Sequence, residues 1–282
     1  MTTIPFALAQ ANISGSPAFP LIVLDDEAAI SLDAAAPLAA RLGHAFSDIG
    51  SLQGLLNDWD RSLPALRAVV SALDDPELGK YVRSSVTALE FFDCHAPLPA
   101  QRQVIVAGEK AEIVPATTLA GPTAKIPIPP SETSLVAGLA IAIVIGAPTY
   151  RATPDEAAQA IAGLTVATRY QTIGGDTWAP AFLPTGPYIL PFEFAEADLG
   201  GRISFNGETG QDGTFSKADA IAATAKVSAR CQLFPGDLII CPMGPMGTTP
   251  LGDGDIIETA IAGLGRQTTN IMVESKHANL GH

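Results

Sequence analysis

LVAGLAIAIVI, Leu135 to Ile145, is the longest apolar run in the chain. It falls short of the roughly 20 apolar residues that a membrane-spanning helix requires, so it reads as a strand-length piece of core. The sequence on either side fits that reading. Beyond His95, short strand-like apolar runs are broken by Gly and Pro, the rhythm of a β-rich body. Two helices interrupt it. Thr153 caps the first, Pro154 suits its opening position, Asp155 and Glu156 complement the positive helix start, and Gly163 sits just past an end near Ala162. Ser216 caps the second, Lys217 to about Arg230, with Ala218, Ile221, Ala222 and Ala225 as a narrow apolar stripe. Between them Asn206-Gly207 marks a hairpin, because both residues tolerate positive φ. Asp237 to Cys241 and Asp255 to Ile261 form a last pair of strands.

Upstream, from Met1 to about Asp93, strand-like pieces at Phe6 to Leu8 and Leu21 to Leu24 lead into apolar spacing of helical period. Leu52, Leu55, Leu56 and Trp59, then Leu63, Leu66 and Val69, carry it. HAPLPA, from His95, reads as a linker. The expected organisation is α+β and β-rich, with a small N-terminal α/β domain over residues 1–95 and a β-rich body over 96–282.

The chain has 282 residues, 47% hydrophobic and 16% charged, enough to bury a core without a disulfide or metal staple. Asp plus Glu number 29 against 16 Lys plus Arg. The formal charge of −13 repels phosphate backbones and anionic lipid heads, which argues against nucleic-acid and membrane partners. Cys94, Cys231 and Cys241 form no CxxC pair, and His44, His95, His277 and His282 show no metal-ligand spacing. Reduced, buried thiols and an N-terminus unlike a signal peptide place the chain in the cytoplasm as an expectation.

Six segments, in order, resemble the fumarylacetoacetate hydrolase family, in the subgroup with a short N-terminal domain. They are SLQGLLNDWDRSLPALRAVV from Ser51, LAIAIVIG from Leu139, WAPAFLPTGPYILPFEF from Trp178, FNGETGQDG from Phe205, PGDLIICPMGPMG from Pro235 and GDGDIIETAIAGLGRQTTN from Gly252. The resemblance implies a mixed β-sandwich roll for the second domain and a dimer. It also implies chemistry on small 2-oxo, diketo or enol acids by C–C hydrolysis, decarboxylation, isomerisation or dehydration. A divalent Mg or Mn ion normally anchors such substrates, chelated with their carboxylate and keto oxygens.

At the positions that carry this chemistry the sequence departs from the family. The family's Glu-x-Glu ligand pair falls at Gly138 and Ala140, and the third carboxylate falls at Arg169. Arg169 either substitutes a fixed cation for the ion or fills its place, and both oppose a divalent metal. The NYxxH stretch that supplies a catalytic His has no counterpart after VIVAG, the family Lys falls at Thr177, and Cys241 takes the first Thr position of a TGTPxG-like loop. Glu258 alone stands where an acid/base Glu occurs.

The expected site is therefore Glu258 for catalysis, with Arg169, Thr177 and Cys241 against a substrate, and no metal or other cofactor. Each residue also has a structural reading. Glu258 is a solvated strand residue, Arg169 pairs with Asp176, Cys241 is a small buried hydrophobe, Met243 and Met246 pack a loop, and Glu109, Lys110 and Glu112 form a solvated turn near the former His loop. Two functional readings stand ahead of a third, an ordinary metal-dependent hydrolase, which requires every functional position to be aligned otherwise. One is a non-catalytic or partner subunit, in a homodimer or with an active relative. The other is a metal-independent enzyme in which Arg169 holds a small carboxylic acid, with Glu258 or the Glu109 to Glu112 turn moving protons.

Overall fold

The apolar run Leu135–Ile145 is one strand, buried along its whole length, in a computed structural model that describes residues 4–99, 101–108, 110–129, 132, 134–173 and 178–273. It pairs antiparallel with Ile161–Thr172 on one side and Leu238–Pro242 on the other. Both faces are covered, so its sequence is continuously apolar instead of alternating. Leu139, Ile141 and Ile143 turn toward a five-stranded sheet. Ala140, Ala142 and Val144 turn the other way, into a second cluster with the N-terminal helices. Small residues on that second face let the helices approach. A Cβ on Gly146 would lie 2.9 Å from Trp59 Cδ1 and 2.8 Å from Ala162 Cβ.

The five-stranded sheet runs in the order Glu208–Ser216, Asp198–Phe205, Ile256–Ile261, Gly265–Val273, Lys125–Ile128. Its hairpin turns at Asn206 and Gly207, with φ of 52° and 83°. The two strands expected as a last pair lie in different sheets, Leu238–Pro242 beside the central strand and Ile256–Ile261 in the five-stranded one. Gly265–Val273 was not expected. Its inward positions Gln267 and Thr269 are polar, so the usual apolar alternation is missing.

Those inward polar groups are satisfied by one another. Thr168 Oγ1 donates to Gln267 Oε1 at 2.7 Å and lies 2.7 Å from Thr259 Oγ1. Gln267 Nε2 donates to the carbonyls of Val166, Pro184 and Gly186, each at 3.1 Å. Tyr170 Oη and Thr269 Oγ1 meet at 2.5 Å. This network pins the five-stranded sheet to Ile161–Thr172.

The N-terminal strands Ala7–Asn12, Phe19–Leu24 and Ala28–Ser31 continue the large sheet, because Ala7–Asn12 pairs with Tyr188–Pro191. Helices Leu32–Arg41, Leu52–Leu56 and Trp59–Leu73 cover it. The large sheet thus takes strands from both sides of the change of texture near residue 95. Both expected helices form, each with a capping box, from Thr153 to Glu156 and from Ser216 to Asp219. They end early, at Ala160 and Ser228. Gly163 is not a helix terminator but a strand residue whose added Cβ would sit 2.4 Å from the Leu190 carbonyl oxygen. Among the described residues no helix is long and apolar enough to cross a membrane.

Candidate carboxylate-binding site

Strand register decides which expected site residues meet. Gly138 stands directly opposite Arg169, and Ala140 opposite Ala167. Directly opposed residues of an antiparallel pair share a face. Thr168 points at Thr259 in the five-stranded sheet, so by alternation Arg169 points to the other face, with Gly138 and Ala140. The three positions that resemble the family's carboxylate ligands are therefore neighbours, and they present a cation and no acid. Their donor set does not fit a divalent ion. Among the described residues no group of three or more His, Cys, Asp or Glu could hold a metal.

Arg169 is partly buried, and its Nε has no hydrogen-bond partner among the described residues. Burial pushes the guanidinium down from its ordinary range, and the charge of Glu112 works against that shift. Arg169 remains a cation at neutral pH, because arginine is effectively always protonated. Glu112 opens the strand Glu112–Val114, and Trp178 Nε1 donates to its Oε1 at 2.7 Å. Trp178 packs against the same apolar cluster as Ala140 and Ala167. Space above Gly138 is taken by Met246, whose Sδ would lie 3.0 Å from a Cβ at that position. Gly247 N donates to the Ala137 carbonyl at 3.0 Å and fixes this loop over the strand.

The remaining expected residues lie elsewhere. Glu258 alternates with Thr259, so it faces away from Arg169, on the outer side of the five-stranded sheet. It stands 4.0 Å from Arg266 in an exposed pair. Cys241 is opposite Ile141 and belongs to the core facing that sheet, not to the Arg169 face. Burial pushes its thiol up to about 12, so it is not a ready nucleophile at neutral pH. Thr177, Asp176 and Glu109 fall outside the described residues. In the sequence Trp178 carries no signal beyond opening the WAPAFLPTGP stretch. Its partner Glu112 is exposed, as the solvated-turn reading expects, and Met246 packs its loop specifically over Gly138.

This architecture, with Arg169 standing where the resemblance puts a carboxylate, defines a mixed β-sheet protein whose site departs from a metal-chelating design. The chain belongs to the fumarylacetoacetate hydrolase family, whose C-terminal domain model matches residues 100–272. Among its relatives, Protein Rv2993c of Mycobacterium tuberculosis is 31% identical over 177 residues, 57% of this chain and 66% of that protein. The crystal structure of a probable 2-hydroxyhepta-2,4-diene-1,7-dioate isomerase from Mycobacterium abscessus superposes with a TM-score of 0.73 at 21% identity, covering 96% of this chain and 100% of that one. Maleylpyruvate hydrolase from Sphingobium sp. SYK-6, in complex with manganese(II) and pyruvate, gives 0.72 at 21% identity, covering 95% and 100%. These two likenesses show that the chain shares its fold with them over nearly its whole length.

Proposed function

We propose that this chain is a metal-independent member of the family that holds a small 2-oxo or 1,3-diketo carboxylate at Arg169. The observation that carries the reading is the partly buried guanidinium with an unpartnered Nε, set directly across from Gly138. A guanidinium offers a planar fork of donors that matches a carboxylate. Maleylpyruvate hydrolase was solved with pyruvate, a 2-oxo carboxylate of the class a guanidinium fork holds. The division of the chain at residue 95 accompanies this proposal, since Gly138, Arg169, Glu112, Trp178 and Met246 all belong to the second part. We place its action in the cytoplasm, without a cofactor.

Glu112 is the acid/base group of this reading in place of Glu258, which faces the other way. A single carboxylate can take a proton from the carbon beside a keto group and return it elsewhere, while Arg169 stabilises the charge that develops. That suffices for isomerisation; in a decarboxylation no C–H proton is taken, and the same group returns a proton to the enolate that loss of CO2 leaves. Hydrolysis additionally needs an activated water, and the family's His has no counterpart after VIVAG.

The outward orientation of Glu258 favours a second reading, a non-catalytic subunit that keeps the carboxylate pocket and associates with a copy of itself or with an active relative. Following oxaloacetate and an acylpyruvate by absorbance in chelator-treated buffer separates the two. Turnover lost in Glu112→Gln supports the enzyme. Binding without turnover supports the subunit.

A further inference from the structure

The strand Leu238–Pro242 stays paired with the central strand as far as Pro242, which stands opposite Ala140. Beyond it the chain arches over Gly138 and is tied down on both sides of that residue. Met243 N donates to the Leu139 carbonyl at 3.0 Å, and Gly247 N donates to the Ala137 carbonyl at 3.0 Å. Between these anchors Met246 is held close to the strand. Its Cα would lie 3.5 Å, and its Sδ 3.0 Å, from a Cβ on Gly138. The bare glycine is what admits the thioether there.

Directly opposed residues of an antiparallel pair carry their Cβ atoms about 5 Å apart on one face. Gly138 is directly opposed to Arg169, so Met246 stands beside the Arg169 side chain. Arg169, Met246 and Trp178 are each half-buried and Glu112 is exposed, which leaves this face open to solvent. A carboxylate on the guanidinium fork therefore brings the carbons that follow it against the thioether. Glu112, the charge that acts on Arg169, offers those carbons no apolar contact. The unbranched thioether does.

We infer that Met246 determines specificity at the Arg169 site, admitting 2-oxo acids that are unbranched at carbon 3 and excluding those branched there. The inference rests on the proposal that Arg169 holds the carboxylate. One methylene too many in a close-fitting pocket is worth about 10–200-fold in discrimination, and Met246→Ala removes the whole thioether arm that sets the fit.

The test titrates 2-oxobutanoate and 3-methyl-2-oxobutanoate into the chelator-treated full chain and its Met246→Ala variant, with the methionine methyl groups labelled with 13C. The chain has four methionines, and Met272, exposed on the five-stranded sheet, is the internal control. 2-Oxobutanoate is expected to shift the Met246 methyl resonance saturably and to leave that of Met272 in place. 3-Methyl-2-oxobutanoate is expected to bind the native chain about tenfold more weakly or worse, and to come within about threefold of 2-oxobutanoate in Met246→Ala. Binding of 2-oxobutanoate with a stationary Met246 methyl, equal binding of the two acids by the native chain, an undiminished preference in Met246→Ala, or loss of both acids from that variant would each overturn this inference alone. No saturable response of the native chain to 2-oxobutanoate would overturn it together with the reading of Arg169.

Discussion

Gly138 and Arg169 face each other as directly opposed residues of the two central antiparallel strands. In the family this resembles the meeting point of two metal ligands, and here one partner has no side chain and the other is a cation. Met246 covers the glycine. Met246 Sδ would lie 3.0 Å from a Cβ on Gly138, so the thioether occupies the space that a longer side chain there would need.

Restoring acids should restore the metal. Manganese at millimolar concentration is expected to leave the melting temperature of the native chain unchanged. The variant Gly138→Glu, Ala140→Glu, Arg169→Asp with Met246→Ala is expected to be stabilised on adding it. Ligand at about 100 times its Kd contributes about 2.7 kcal/mol. Differential scanning calorimetry with and without manganese checks this. A manganese-dependent rise in the native chain would contradict the account of Gly138, Ala140 and Arg169.

Gln267 is the keystone of the polar seam between the sheets: its Oε1 accepts from Thr168, and the two hydrogens of its Nε2 are shared among three carbonyls at 3.1 Å. Gln267→Leu takes a donor from the buried Pro184 and Gly186 carbonyls, while Thr168 keeps Thr259 and the Val166 carbonyl keeps the Gly186 N–H. The expected loss is about 2 kcal/mol or more, since each unsatisfied buried group costs about 1–3 kcal/mol. Urea unfolding with unchanged m-value measures it. A loss below about 0.5 kcal/mol, the scale of an ordinary surface substitution, would show that the seam is not organised around Gln267.

Much of the fold is legible in the sequence because it rests on local rules. The run Leu135 to Ile145 coincides with its strand, Thr153 and Ser216 cap their helices, and Asn206-Gly207 turns its hairpin. Gly265–Val273 escaped because two of its three buried positions, Gln267 and Thr269, are polar, and Gly163 misled because its lack of a side chain serves a close strand approach. Arg169 was visible through its motif. Its distance from Glu258 was not, because strand alternation in two separate sheets sets it. Glu112 gained weight only when the fold brought it to Trp178 and within reach of Arg169's charge.

The thiols set an alkaline limit to stability. Burial raises Cys241 from 9.0 to about 12 and Cys94 from 9.0 to about 11. The folded state therefore keeps these protons when the unfolded state loses them. Their contribution is complete below pH 9, declines as pH rises beyond it, and is lost once the folded values are passed. Each group costs up to about 1.4 kcal/mol per pH unit in that window. Urea midpoints between pH 8 and 11 are expected to fall, and less steeply in Cys241→Ala. An identical slope in that variant would remove Cys241 from the explanation.

Glu112→Gln separates binding from proton transfer. Pyruvate affinity is expected to stay within about threefold, whereas any turnover of oxaloacetate falls by a factor of about 100 or more, the usual weight of a general base. Steady-state kinetics alongside calorimetry read both quantities. Undiminished turnover would assign the proton to another group.

The most direct test is calorimetric titration of pyruvate into the chelator-treated chain and its Arg169→Met variant. The account predicts saturable heat without metal and at least tenfold weaker binding in the variant, from the loss of charge-assisted hydrogen bonds worth about 1.5–3 kcal/mol. Binding that appears only after manganese is added, or that survives intact in Arg169→Met, would contradict it.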